Sequence, residues 1–264
     1  MIRGYPVLDV NAYLGHWFAR RVEPTEPDGL TELMDRNGIE RAVVGSLEAV
    51  MYRNCQSGNE ELARRVERHR DRLIPFGVLN PAYIGWERDL DWCVGVLGAR
   101  GVRIYPQYHG YTLADTPCAE VCAACAERSL PLTILQRQED YRQRHPMVDA
   151  KNLALDDIAA LASRHPATRL IVMEGAGYAR SRFVREASTL PRNTWIEISR
   201  SQLFLDQDPQ ALIGALGGGR LLFGSGMPLK MPRPAVLVAE RIGLQGEELR
   251  GFLGGNLEAI LRPV

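Results

Sequence analysis

Short apolar runs and amphipathic stretches alternate from one end of this chain to the other. Apolar runs at residues 5–11, 41–46, 73–79, 102–105, 132–136, 169–174, 194–199 and 220–225 predict strands. Stretches with helical spacing at 30–37, 59–70, 86–97, 117–128, 155–163, 180–187, 209–216, 235–242 and 247–261 predict the intervening and following helices. Gly38 stops the first helix, and Asn80-Pro81 ends the third strand.

The predicted strands are apolar almost throughout instead of at every second residue. That pattern belongs to strands buried on both faces, as in parallel sheets. Eight strand–helix units in 264 residues match a closed (β/α)8 barrel, the TIM barrel, which typically takes roughly 250 residues. The chain is read as one such α/β domain over residues 1–264. A doubly wound open sheet is the alternative. It would usually carry a glycine-rich nucleotide turn after its first strand, and Asp9-Val10-Asn11-Ala12-Tyr13-Leu14-Gly15 offers none.

Composition narrows the function classes. An apolar fraction of 45% and a charged fraction of 24% are ordinary for a globular protein, and the net charge of zero gives no footprint for nucleic acid. No stretch approaches the ~20 apolar residues of a membrane span, and no leader pattern opens the chain. The expectation is a cytoplasmic protein acting on a small molecule, with a homodimer as the default assembly. Basic residues are almost all Arg, with Lys only at Lys151 and Lys230.

Cys118, Cys122 and Cys125 have the C-x3-C-x2-C spacing of radical-SAM enzymes. Their setting is an alanine-rich helix, on which offsets of 0, 4 and 7 share one face. A buried small-residue face is the better reading, because a cluster needs its thiolates on a loop that wraps it.

In a barrel of this kind, function gathers at the C-terminal ends of the strands. The first end supplies Asn11, Tyr13 and His16, and the second Ser46 and Glu48. Asn80 follows the third, while Arg103, Tyr105, Gln107, Tyr108 and His109 belong to the fourth. The fifth gives Gln136, Gln138, Glu139 and Asp140, the sixth Glu174, the seventh Glu197, Ser199 and Arg200, and the eighth Ser225. The polar loop at 137–152, which carries Arg142, is a candidate lid or a plain solvated loop. His69 and His165 fall on helices or helix ends, far from the mouth.

Several segments resemble the amidohydrolase superfamily, in the branch related to aminocarboxymuconate semialdehyde decarboxylase. Asp9-Val10-Asn11-Ala12-Tyr13 is similar to its D-x-H-x-H first strand, and Phe223-Gly224-Ser225-Gly226-Met227-Pro228 to its F-G-S-D-x-P last strand. Gly101-Val102-Arg103-Ile104-Tyr105-Pro106 resembles its G-[FV]-[KR]-x-x-P segment, and Gly254-Gly255-Asn256-Leu257 its terminal G-G-N-A. The family's metal-binding His and Asp positions hold Asn11, Tyr13 and Gly226 here. Gln136 stands where the family has its fifth-strand His, and Glu174 where it has its sixth-strand His.

Such a donor set suits a transition metal poorly, since one good ligand remains of five. No metal and no cofactor are expected, although a hard cation held by Glu174 and carbonyl oxygens is conceivable. The resemblance then implies a metal-independent hydrolase, or a related lyase such as a decarboxylase, acting on a small polar or anionic carbonyl compound such as a lactone or amide. Glu174, Glu139 and His109 are the proton-transfer candidates. Asn11, Tyr13, Arg103, Tyr105, Gln136, Gln138, Arg142, Glu197, Arg200 and Ser225 are the candidate binding residues. Arg103 has a second reading as a buried ion-pair partner of Glu174 or Glu197. The alternative for the whole protein is an inactive barrel that serves as a binding or scaffold protein.

Overall fold

The computed structural model describes residues 1–140, 142–200 and 207–262. Tyr141, inside the candidate lid, lies outside the described residues.

The elements run β1 Leu8–Leu14, α1 Pro27–Arg36, β2 Arg41–Ser46, α2 Gln56–Val66, β3 Leu73–Pro75, β4 Gly77–Leu79 and α3 Trp86–Trp92. Next come β5 Val102–Ile104, α4 Pro106–His109, α5 Thr116–Glu127, β6 Leu132–Leu135, α6 Leu155–Arg164 and β7 Leu170–Met173. The chain finishes with α7 Arg182–Arg185, β8 Thr194–Glu197, α8 Asp208–Leu216, β9 Leu221–Leu222, α9 Arg233–Arg241, α10 Gly246–Arg250 and α11 Asn256–Leu261. All strand pairings are parallel and follow chain order. Among the described residues, no helix is long and apolar enough to cross a membrane.

The strand read at 73–79 is one strand with a break at Phe76. Its first half pairs with β2 and its second with β5. The Phe76 amide still reaches the Val44 carbonyl at 2.9 Å, so the two sheets are continuous across the break. Beyond it, Val78 takes its partners from a side chain. Asn59 on α2 gives its amide to the Val78 carbonyl and accepts the Val78 N–H, both at 2.9 Å. A buried amide thus replaces a neighbouring strand, as the demand that buried backbone groups be paired requires.

The other seam closes the barrel. The Val10 amide donates to the Phe223 carbonyl at 3.0 Å, Gly226 to the Asn11 carbonyl at 2.7 Å, and Tyr13 to the Met227 carbonyl at 2.9 Å. Between Asp9 and Ala12 the pairing of β1 with β2 slips, forming a bulge that re-aims Asn11. The first strand lies three residues later than the run at 5–11 suggests. Ile2 and Tyr5 exchange two hydrogen bonds of 3.0 Å in a tight turn, which holds Tyr5 out of the barrel.

Two cores follow from the twofold alternation of the strands. Val43, Phe76, Val78, Tyr105, Leu135, Ile171, Met173 and Leu222 fill the barrel interior. Their neighbours Ala42, Val44, Val102, Ile104, Ile134, Val172 and Ile196 face the helices. Cys118, Cys122 and Cys125 on α5 are buried free thiols in that outer core. The helix read at 247–261 is divided by a π turn over Gly251–Gly255. There Gly254 lies against Leu8, and Asn256 donates to the carbonyls of Gly218 and Leu221 at 3.0 and 2.9 Å.

Close packing at the break between the sheets gives a direct test. A methyl group at Gly101 would come within 2.4 Å of the Phe76 ring. Gly101→Ala should therefore overpack the barrel and lower stability by roughly 1–3 kcal/mol, measured as a lower midpoint in urea unfolding with an unchanged slope.

Candidate functional site

Glu174 is the centre of the barrel mouth. It follows β7 directly and is 2% exposed. Its φ of +56° lies in the left-handed region, which a side chain enters only at a cost and which is often found at functional sites. That backbone turn aims the carboxylate across the mouth. Burial alone would raise its proton affinity, but Lys230 and then Arg200 outweigh burial and hold its pKa below the usual value.

The four partners of Glu174 come from three strand ends. Asn11 in the β1 bulge donates its amide to Oε1 at 2.5 Å. Arg200, after β8, sets Nε 2.5 Å from Oε2. Lys230, after β9, sets Nζ 2.9 Å from Oε1 and 3.0 Å from Oε2. Ser199 Oγ lies 3.4 Å from Oε1 and accepts a 2.6 Å hydrogen bond from the same ammonium.

A second carboxylate underlies this cage. Glu197, fully buried at the end of β8, accepts the Glu174 amide at 2.9 Å and the Ser199 amide at 2.5 Å. Burial, and then the charge of Glu174, raise its pKa. Gly224 leaves the room that Glu197 fills, since a Cβ there would sit 2.5 Å from its Cγ.

The loop after β6 completes the wall. Gln138 is 3% exposed, and its backbone carbonyl accepts from Arg200 Nη2 at 3.3 Å. Its side-chain oxygen takes a 3.4 Å bond from the Tyr13 hydroxyl. Glu139 pairs with Arg20 Nε at 3.3 Å, and Arg20 also donates to the Leu229 carbonyl at 2.9 Å, next to Lys230. Burial raises the pKa of Glu139 despite the Trp17 indole and Arg20 beside it. Asn11 Oδ1 and Gln138 Nε2 are buried and have no partner among the described residues.

The structure thus brings together Asn11, Tyr13, Gln138, Glu174, Glu197 and Arg200 from the sequence candidates. Others stand apart. Arg103 lies deeper in the barrel, fully buried, with Nη2 donating to the Val10 and Val43 carbonyls at 3.2 Å each. Its guanidinium is 4.8 Å from the centre of the Tyr13 ring, and the Tyr105 hydroxyl is beside it. It forms no ion pair with Glu174 or Glu197 among the described residues, contrary to the second reading above. Gln136 accepts the Ala176 amide at 2.9 Å, and Ser225 Oγ accepts the Met227 amide at 3.2 Å, so both brace loops. Arg142 bonds Asp140 of its own loop at 2.8 Å and is mostly exposed. His109 Nε2 sits 3.7 Å from Cys55 Sγ, away from Glu174, and burial depresses its pKa to about 4.

Sequence reasoning missed Lys230, Ser199 as its partner, and Asp9. Lys230 had one signal, its being one of two lysines in a chain that otherwise uses Arg. Asp9 Oδ1 accepts the Asn11 amide at 2.8 Å and the Ser225 amide at 3.1 Å, binding the bulge to the last strand.

The family model described as amidohydrolase matches residues 18–262. The chain belongs to the amidohydrolase family. Among solved structures it is similar to 2,6-dihydroxybenzoate decarboxylase from Rhizobium, at 14% identity and a TM-score of 0.78 over 97% of this chain and 98% of that one. A putative amidohydrolase from Staphylococcus aureus matches at 14% identity and TM-score 0.74, covering 97% and 99%. A dihydroxybenzoic acid decarboxylase from Polaromonas sp. JS666, solved with bound manganese and 2-nitroresorcinol, matches at 15% identity and TM-score 0.72, covering 97% of each chain. At these identities the likeness establishes the barrel fold. Comparison with curated proteins returns no match.

The residues at these strand ends do not fit the transition metal that the fold family implies. Two amides, a phenol and a glycine replace imidazole and carboxylate donors, and the remaining carboxylate already faces an ammonium, a guanidinium and an amide N–H. Among the described residues, no three His, Cys, Asp or Glu side chains form a group able to hold a metal.

Asp9 gives the site a pH signature. Burial raises its pKa to about 7 against the hydrogen bonds that favour its ionised form. Between its unfolded value of 3.8 and about 7, the folded state holds more protons than the unfolded one, so this group's contribution to stability falls as pH rises. The difference is on the order of 4 kcal/mol across that window. Asp9→Asn keeps the accepting oxygen and removes the titration. Its stability relative to wild type should improve steadily from pH 4 to pH 7, measured by urea unfolding at each pH. A constant difference across the range would remove Asp9 as the cause.

Proposed function

We propose that this protein is a metal-independent hydrolase of its family, acting on a small carbonyl compound that carries a negative charge, such as a lactone or amide of an organic acid. The observation that carries the reading is the pair of protein cations on Glu174: Arg200 at 2.5 Å and Lys230 at 2.9 Å. Positive charge at the mouth is supplied by side chains.

In this mechanism the ligand's carboxylate competes with Glu174 for Arg200 and Lys230. Glu174 thereby loses the partners that hold its pKa down and gains the ability to take a proton from water. The water oxygen bonds to the carbonyl carbon, and the charge arriving on the carbonyl oxygen faces the nearby cation. The C–O or C–N bond then breaks, and the proton on Glu174 passes to the leaving group. Asn11 Oδ1 and Gln138 Nε2, buried without partners, are an acceptor and a donor left for the ligand's polar edge. His109 has no step in this scheme, because its ring packs against Cys55 and not against Glu174.

A second reading has its own support. Glu174 and Gln138 are 2% and 3% exposed, and both oxygens of Glu174 are engaged. That self-satisfied arrangement also suits a barrel that binds an organic acid without turning it over.

Metal analysis, ligand binding and turnover test these readings together. The purified protein should contain far less than one manganese or zinc per chain, and chelation should leave binding and turnover unchanged. Small carboxylates, beginning with hydroxybenzoates because the structural neighbours are decarboxylases of such acids, should raise the melting temperature. Arg200→Ala should weaken that binding by roughly 10-fold or more. Hydrolysis of a carboxylate-bearing lactone or amide, lost in Glu174→Gln, supports the enzyme. Binding with no turnover supports the alternative. About one tightly held metal per chain, with activity lost on chelation, would overturn both.

A further inference from the structure

We infer that the Lys230 ammonium is a built-in cation of the barrel mouth, seated in the space that a side chain at position 226 would take, so that Gly226 and Lys230 act as a pair. This deepens the metal-independent reading and rests on it for its functional meaning. The structural argument starts at Gly226. A Cβ there would stand 2.2 Å from Lys230 Cε, 2.9 Å from its Nζ and 2.7 Å from Glu174 Oε1. The position facing Glu174 therefore holds either a residue-226 side chain or the lysine.

Local backbone geometry delivers the lysine to that place. The Lys230 amide donates to the Gly226 carbonyl at 3.1 Å, folding the segment after β9 into a turn. The stem runs back over Gly226, and the ammonium reaches Glu174 and Ser199 at 2.6–3.0 Å. The side chain keeps 24% of its surface exposed, so it is anchored at Glu174 and Ser199 without being sealed in the core. An ammonium donates hydrogen bonds from a compact charge. Its fitting ligand is an oxygen anion, a carboxylate or an enolate-like oxygen.

A double-mutant cycle read by melting temperature, without ligand, tests the pairing. Gly226→Ala adds backbone strain at φ +73° in any background, and that strain cancels in the cycle. Expelling the lysine stem costs only where the stem exists. Gly226→Ala should therefore lower the melting temperature by roughly 4 °C or more beyond its effect in the Lys230→Ala background. Ethylammonium chloride should restore part of the loss in Lys230→Ala, while sodium chloride at equal ionic strength should not. Equal losses in both backgrounds, with no selective restoration, would overturn the pairing.

A second measurement does not depend on Lys230→Ala folding. With two lysines in the chain, 13C-lysine labelling gives two side-chain Cε signals. The Lys230 signal should move in Gly226→Ala while that of Lys151 stays. An unmoved Lys230 signal would contradict the inference. Loss of coupling would remove this inference and leave metal-independent binding standing. Tightly bound manganese with coupling intact would remove the functional reading and leave the pair.

Discussion

Everything at the mouth depends on keeping one carboxylate buried. Glu174 is almost out of contact with solvent, and an isolated charge in that position would neutralise itself or unfold its surroundings. Two cations and an amide prevent this. Each partner in turn imposes a demand on the chain. Asn11 reaches Glu174 from a strand bulge, Lys230 needs the emptied volume over Gly226, and Arg200 is braced on the Gln138 carbonyl. A buried pair of this kind is weak evidence of stability, because desolvation offsets much of the attraction. It is stronger evidence of arrangement, since each partner fixes the others.

The barrel supplies that arrangement by closing at the same place. The Asn11 carbonyl accepts the Gly226 amide, and Asp9 holds the amides of Asn11 and Ser225. The closing seam is therefore also the wall of the cage. Moving the bulge would both open the barrel and withdraw a donor from Glu174. At the opposite seam, near Phe76 and Asn59, the same need for pairing is met with no charged group. Strand closure alone thus does not require the polar cage.

Much of the fold was legible because strands buried on both faces are apolar at nearly every residue, and helices between them keep their own period. The break at Phe76 had a local mark in Pro75 and Gly77 on either side of it, but an unbroken apolar run hides which strand each half pairs with. The division of 247–261 had a visible cause in Gly251, Gly254 and Gly255, of which Gly254 packs against Leu8 and Gly251 against Asn256. At the site, Glu174 stood out because a carboxylate ends the sixth strand. The chemistry of Arg103 was harder to foresee. Its place on a strand fits an ion pair, yet its donors go to carbonyls of β1 and β2. Lys230 follows the last strand by several residues, and its position is set by a turn that no periodic pattern reports. Arg142 and His109 illustrate the opposite limit, in which residues near the right strand ends turn to local partners.

On the proposed reading an ammonium stands in for the family's metal, and that changes what the mouth can do. A bound divalent metal lowers the pKa of its water to about 7 and so makes its own nucleophile. An ammonium carries half that charge on the far end of a flexible chain. It can stabilise an oxyanion but leaves water close to its ordinary acidity. Proton transfer then falls to the carboxylates, and those here are not equivalent. Glu174 is held down by its cations after burial has pushed it up, while at Glu197, directly beneath it, burial and the charge of Glu174 outweigh the pull of Lys230 and hold it up. Neighbouring acids driven in opposite directions are the arrangement from which acid and base roles can be divided. In the proposed mechanism the ligand's own charge decides when that division changes, because drawing Lys230 and Arg200 away from Glu174 moves it toward the state of Glu197. In a metal site the cation stays on its ligands through the reaction. In the proposed mechanism the cation and the base are ion-pair partners, so binding an anion is itself the step that frees the base.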